Sequence, residues 1–110
     1  MSQSALRPET RAELERLGGA DLLVGIPSYR NAATIAHVVE TAAAGLTAHF
    51  PGRRALIFNS DGGSDDGTPG AVRAARLPAG VSALSAPYVG PSGKGTAVRA
   101  IFEAARLLGA

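Results

Sequence analysis

The sequence predicts an α/β fold: a Rossmann-like parallel sheet with flanking helices. Two observations carry the prediction. Short apolar runs at 21–26, 55–58 and 81–85 alternate with segments whose apolar residues recur at helical spacing. Each run is also followed by a loop rich in Gly, Ser, Pro or Asp that leads into the next helix. Strands alternating with helices imply right-handed crossovers and a sheet covered on both faces.

The elements follow in order. PETRAELERL, residues 8–17, reads as a short helix with Pro8 at its start, acids early and Gly18-Gly19 at its stop. Asp21 to Ile26 is a buried strand ended by Pro27. Asn31 is placed to cap the helix AATIAHVVETAAAGL, with Ile35, Val38, Val39 and Ala42 on its apolar face and Gly45 near its end. Ala55 to Phe58 is the second strand, and Pro69 to Arg76 the helix after it. Val81 to Ser85 is a weaker third strand. Thr96 to Leu108 is a helix with Val98, Ile101, Phe102, Ala105 and Leu108 on one face. Three short strands make a thin sheet with an exposed edge, a place for self-association. The C-terminal LLGA falls where a helix would hand over to a fourth strand, so residues 1–110 read as one partial domain, with 1–20 as N-terminal helix and lead-in.

Composition narrows the function classes. The 45% hydrophobic content is enough for a core, and a net charge of +2 without a long basic run argues against a nucleic-acid surface. The absence of cysteine excludes disulfides and thiolate metal sites. No apolar run reaches the ~20 residues of a membrane span, and the charged N-terminus does not suit a signal peptide, so the expected location is cytoplasmic.

Chemistry collects at one end of the sheet. In open α/β sheets, ligands bind beyond the carboxyl ends of the strands, where loops meet helix N-termini. All three such loops are unusual here: PSYRN at 27–31, NSDGGSDDGT at 59–68 and GPSGKG at 90–95. Asp61, at a strand end, suits hydrogen bonds from a base or ribose, and capping the next helix does not need it. Gly62 and Gly63 allow close backbone approach. Ser64, Asp65, Asp66 and Thr68 fit either a ligand or the start of the next helix. Tyr29 could lie along a base or plug the sheet end, and Arg30 could reach a phosphate or stay solvated. Lys94 brings a positive charge to a helix N-terminus, or is solvated. The third loop is not a Walker A loop, because Tyr88 stands where the first Gly belongs and Gly95 follows Lys94. His37 and His49 lie away from the strand ends, and no nucleophilic triad or metal-spaced cluster appears.

In this order, IPSYRNAATI, NSDGGSDDGT and GPSGKGTAVRAIFEAA resemble the nucleotide-sugar half of GT-A glycosyltransferases over residues 21–110. Family 2 members carry Pro-x-Tyr-Asn after the first strand, Asp-Asp-Gly-Ser-x-Asp-Gly-Thr after the second, and a Gly-Lys-Gly segment opening a later helix. Asp-Gly-Gly-Ser with Pro-Ser-Gly-Lys-Gly is similar to the retaining enzymes that make glucosylglycerate, mannosylglycerate and their 3-phospho forms. Two departures stand out: Gly62 replaces a second Asp, and Arg30 separates Tyr29 from Asn31.

The resemblance implies that Pro27, Ser28 and Tyr29 form the wall near the nucleoside. It implies that Asp61 contacts the base, that Gly62 belongs to the nucleotide-sugar site, and that Gly93 and Lys94 lie near the ribose or diphosphate. It implies transfer of a hexose from a nucleotide diphosphate sugar to a small hydroxyl acceptor in the full-length enzyme. The Mg²⁺ or Mn²⁺ expected there is held by an Asp-x-Asp motif absent from this chain, so the fragment itself is expected to be inactive. The alternative is a stand-alone α/β module that binds a nucleotide or phosphate and regulates a partner.

Overall fold

Residues Ala55–Asp61 form a strand buried at every position, and the rest of the molecule is arranged around it. The computed structural model describes residues 4–110 apart from 31, 65, 91 and 92, and at 94 the backbone only. Its elements are α1 (Pro8–Leu17), β1 (Leu22–Ser28), α2 (Ala32–His49), β2 (Ala55–Asp61), α3 (Thr68–Arg73), β3 (Val81–Pro87) and α4 (Lys94–Leu108). The strands pair in the order β1-β2-β3, both ladders parallel, with Ser28 opposite Asp61 and Asp61 opposite Pro87. This is the expected α/β architecture.

Side chains alternate across a strand, so each face of the sheet has its own core. One joins Ile57 and Ala55 to Ile35, Val39, Ala43 and Leu46 of α2 and Val72 of α3. The other joins Leu56 and Phe58 to Leu14 of α1 and Ala100, Ala104 and Leu108 of α4. Close approach on that second face depends on Gly25, since a Cβ there would overlap three atoms of the Ile101 side chain.

The strands run further than their apolar runs. Pro27 and Ser28 belong to β1, and Asn59, Ser60 and Asp61 belong to β2, not to the loop. Parallel pairing explains the first extension. The Leu22 N–H reaches the Arg54 carbonyl at 3.2 Å, and the Gly62 N–H reaches the Ser28 carbonyl at 2.9 Å. Even positions of β1 therefore face β2, and 23, 25 and 27 face outward. Pro27 lacks an N–H where none of the described residues would receive it, as is usual for proline on an edge strand.

The helices also differ from expectation. α2 passes through Gly45 to His49, because burying Leu46 offsets the ~1 kcal/mol a helical glycine costs. It stops where Pro51 disfavours helix in the preceding residue. α3 ends at Arg73 and α4 starts at Lys94. The inward faces are rotated. α2 buries Ile35, Val39, Ala43 and Leu46 while Val38 is 42% exposed. α4 buries Ala97, Ala100, Ala104 and Leu108 while Phe102 is 67% exposed. The capping role expected of Asn31 falls outside the described residues.

Candidate functional site at the carboxyl ends of the strands

The carboxyl ends of the three strands are tied together by buried polar side chains. The Ser85 hydroxyl donates to Asn59 Oδ1 at 2.7 Å, and Asn59 Nδ2 donates to the Ile26 carbonyl at 2.9 Å and to Ser28 Oγ at 2.7 Å. Ser28 Oγ donates in turn to Asp61 Oδ1 at 3.0 Å. Buried polar groups are tolerated when each finds a partner, and here they find one another. These bonds let β2 carry Asn59 and Asp61 although the apolar run ends at Phe58, whereas the buried Ser60 Oγ has no partner among the described residues.

Asp61 closes that network and opens the loop. Its Oδ2 accepts from the Gly63 N–H at 3.0 Å and the Ser64 N–H at 2.6 Å, and its Oδ1 accepts from Ser64 Oγ at 2.7 Å. With Ser28, four donors converge on a carboxylate that offers about four lone-pair sites. Asp61 thus has a structural task that the sequence did not reveal. Ser64 acts as a bridge to the first loop, its Oγ accepting from the Arg30 N–H at 2.7 Å. Arg30 is held in the left-handed region at φ 56, uncommon for a non-glycine residue, with its guanidinium 5.5 Å from the centre of the Tyr29 ring.

Gly62 lies between two tyrosines. A Cβ there would stand 3.2 Å from Tyr29 Cδ1 and 3.3 Å from the Tyr88 hydroxyl, so a side chain would press on both tyrosines and make them give by a few tenths of an ångström. Tyr29 is 57% exposed beside it. The Tyr88 hydroxyl also accepts from the Gly93 N–H at 2.9 Å, which links the third loop to the second. Gly93 precedes α4, whose start has no side-chain cap. Lys94 opens that helix, with its side chain outside the description, and residues 65, 91 and 92 lie outside it altogether. Pro27, Ser28, Tyr29, Asp61, Gly62 and Gly93 thus all stand at one end of the sheet. Sequence reasoning missed Asn59 and Tyr88; a polar residue flanked by a buried strand and an aromatic closing the third strand were the available signals.

Asp66 ties α3 to α2. Its Oδ1 accepts from Thr68 Oγ1 at 2.6 Å and the Thr68 N–H at 3.1 Å, and its Oδ2 accepts from the Ala32 N–H at 3.4 Å. Chiefly the Thr68 hydroxyl holds this carboxyl below its ordinary value of 3.8. A depressed folded value favours the ionised form in the native state. The stabilisation is therefore present above that ordinary value and is lost as pH falls through the lower, folded one. An NMR acid titration should show the Thr68 amide moving with an Asp66 midpoint below 3.8, and Asp66→Asn should abolish that step. A midpoint at or above the ordinary value would refute the clamp.

At the level of sequence the chain matches no family profile and no curated protein. Among solved structures it is similar to mannosyl-3-phosphoglycerate synthase from Rubrobacter xylanophilus. The TM-score is 0.50 with 25% identity, over 86% of this chain and 30% of that one. The fold is glycosyltransferase-like. The glycosyltransferase-like domain thus spans 30% of the length of the synthase it matches.

Among the described residues the carboxylates of the second loop are taken up by the chain itself. Asp61 and Asp66 are engaged by donors of the chain, and among the described residues no group of three or more His, Cys, Asp and Glu is placed to hold an ion. Two hollows lie at the opposite end of the sheet, one beside Leu22, Phe50 and Val81, the other beside Leu17, Arg54 and Ser82. Neither is lined by a carboxylate. Among the described residues no helix is long and apolar enough to cross a membrane.

Proposed function

We propose that this chain is the nucleotide-sugar-binding portion of a glycosyltransferase, one that moves a hexose from a nucleotide diphosphate sugar to a small hydroxyl acceptor. The observation that carries the reading is the convergence of all three loops at the carboxyl ends of the strands, with a bare Gly62 backbone between Tyr29 and Tyr88. The likeness to a synthase that makes mannosyl-3-phosphoglycerate supports the same chemistry and points to a small phosphorylated acceptor.

In this reading the Tyr29 ring stacks on the base, and the Gly62 backbone meets the nucleoside with no side chain in the way. Pro27 and Ser28 form the wall behind them. The start of α4, with Gly93 and Lys94, faces the diphosphate, since a helix N-terminus favours negative charge. Asp61 contributes by holding the loop in shape. Mg²⁺ or Mn²⁺ would offset leaving-group charge from ligands beyond this chain. The chain alone would therefore bind donor without turning it over.

The test is an NMR titration of the 110-residue chain with a nucleoside diphosphate. Millimolar affinity is expected, roughly −4 kcal/mol, with shifts at 27–30, 61–64 and 88–95. Shifts confined to the hollow beside Phe50 and Val81 would sink the site, and no shift anywhere would sink the nucleotide reading.

A further inference from the structure

The second and third loops meet at one side chain. Tyr88 follows β3, half-buried, and its ring packs on the core that α4 shares with the sheet. Its backbone is held from two sides, by the bond its N–H donates to the Asp61 carbonyl at 3.2 Å and by the bridge to Leu6. The hydroxyl accepts from the Gly93 N–H at 2.9 Å and would stand 3.3 Å from a Cβ on Gly62. Gly93 precedes α4 at φ 139, and its carbonyl accepts from the Ala97 N–H at 3.2 Å. Having no side chain, it cannot cap the helix itself. In a capping box the N–H of this position is taken by a side chain three residues into the helix. Here a phenol from outside the helix takes it.

The hydroxyl has little room on either side. N–H···O bonds run from about 2.7 to 3.2 Å. A group pressed against Gly62 moves the hydroxyl by a few tenths of an ångström, enough to carry the Gly93 bond to the end of that range. We propose that Tyr88 is a positioning residue that couples the two loops: what rests on Gly62 sets, through the hydroxyl, the place of Gly93 and of the start of α4. The coupling serves, and rests on, the reading of this end of the sheet as a nucleotide site. The nucleoside lies on Tyr29 and Gly62, the diphosphate lies at Gly93, and the two ends of the ligand bind as one. Tyr88 acts on the diphosphate through Gly93 and not by contact.

Amide NMR of the whole chain tests the coupling without ligand and with it. Tyr88→Phe keeps the ring in its core and removes the hydroxyl, so the thermal melt should change little. Gly62 lies outside the left-handed region, so Gly62→Ala adds its methyl without backbone strain. Without ligand, Gly62→Ala should move the Gly93 amide, and in the double variant with Tyr88→Phe the methyl should no longer reach it. The ligand arm uses uridine, guanosine and their diphosphates as probes. In the native chain a nucleoside should shift Gly93 together with Tyr29 and Gly62. In Tyr88→Phe that Gly93 shift should vanish, and the diphosphates should bind about fivefold more weakly with nucleoside affinity unchanged. A Gly93 amide that ignores Gly62→Ala, or that responds equally with and without the hydroxyl, would overturn the proposal. So would a Tyr88→Phe variant that melts far below the native chain, or one that loses nucleoside and diphosphate affinity alike. A native chain that no probe shifts would sink the nucleotide reading instead, while the ligand-free arm still decides the coupling.

Discussion

Asp61→Ala should lower stability by about 3 kcal/mol, because it leaves the donors on Ser28, Gly63 and Ser64 without their acceptor. Four bonds of 2.6 to 3.0 Å are lost at once, but the loop is open enough for water to replace some of them. For a domain of this size the fall in Tm is roughly 12 °C. Asp61→Asn should have an intermediate effect, since one oxygen survives while the amide nitrogen faces donors. Thermal melts of the three proteins decide the matter. If Asp61→Ala melts with the native chain and only nucleotide binding suffers, the carboxylate meets the ligand and the loop does not depend on it.

The next largest effect is expected at Gly25. A methyl group there would overlap Ile101, so either the Ile101 rotamer or the whole of α4 must shift. Overpacking of this kind typically costs about 1–3 kcal/mol, and Gly25→Ala should fall near the middle, with Gly25→Val beyond it. The diagnostic is rescue. Ile101→Ala should destabilise the native chain, yet the double variant with Gly25→Ala should be more stable than the sum of the single effects predicts. Strict additivity would show that the helix does not rest on that glycine.

Element order was legible because each strand core is an apolar run and each helix shows its period. Strand ends were not. Asn59 and Ser60 read as loop; the cross-strand bonds to Ser28 and Ser85 show how a buried strand carries Asn59, while the buried Ser60 hydroxyl has no partner among the described residues. The helix faces misled for a different reason. Judged by size, Val38 and Phe102 looked like core, but the sheet already presents Leu56, Ile57 and Phe58, and helices come close by turning Ala43, Ala97, Ala100 and Ala104 inward. The convergence of the three loops into one candidate site was legible from their composition. Its internal wiring was not, since nothing local in the sequence says that Tyr88 reaches Gly93 or that Asp61 folds back on its own loop.

The segment Ser4–Leu6 lies far from the loops in sequence but against one of them in space. Leu6 bridges Tyr88, the Val89 N–H donates to the Ala5 carbonyl at 2.8 Å, and Glu103 of α4 accepts from Ser4 Oγ at 2.8 Å and from the Ala5 N–H at 2.6 Å. The same Tyr88 holds Gly93. Loss of the Ser4–Leu6 contacts would therefore release a brace on the third loop, so that local opening near one end of the chain would be felt toward the other. An affinity tag fused at the start of the chain is, in effect, a perturbation of the third loop, and a purification handle is better placed after Ala110.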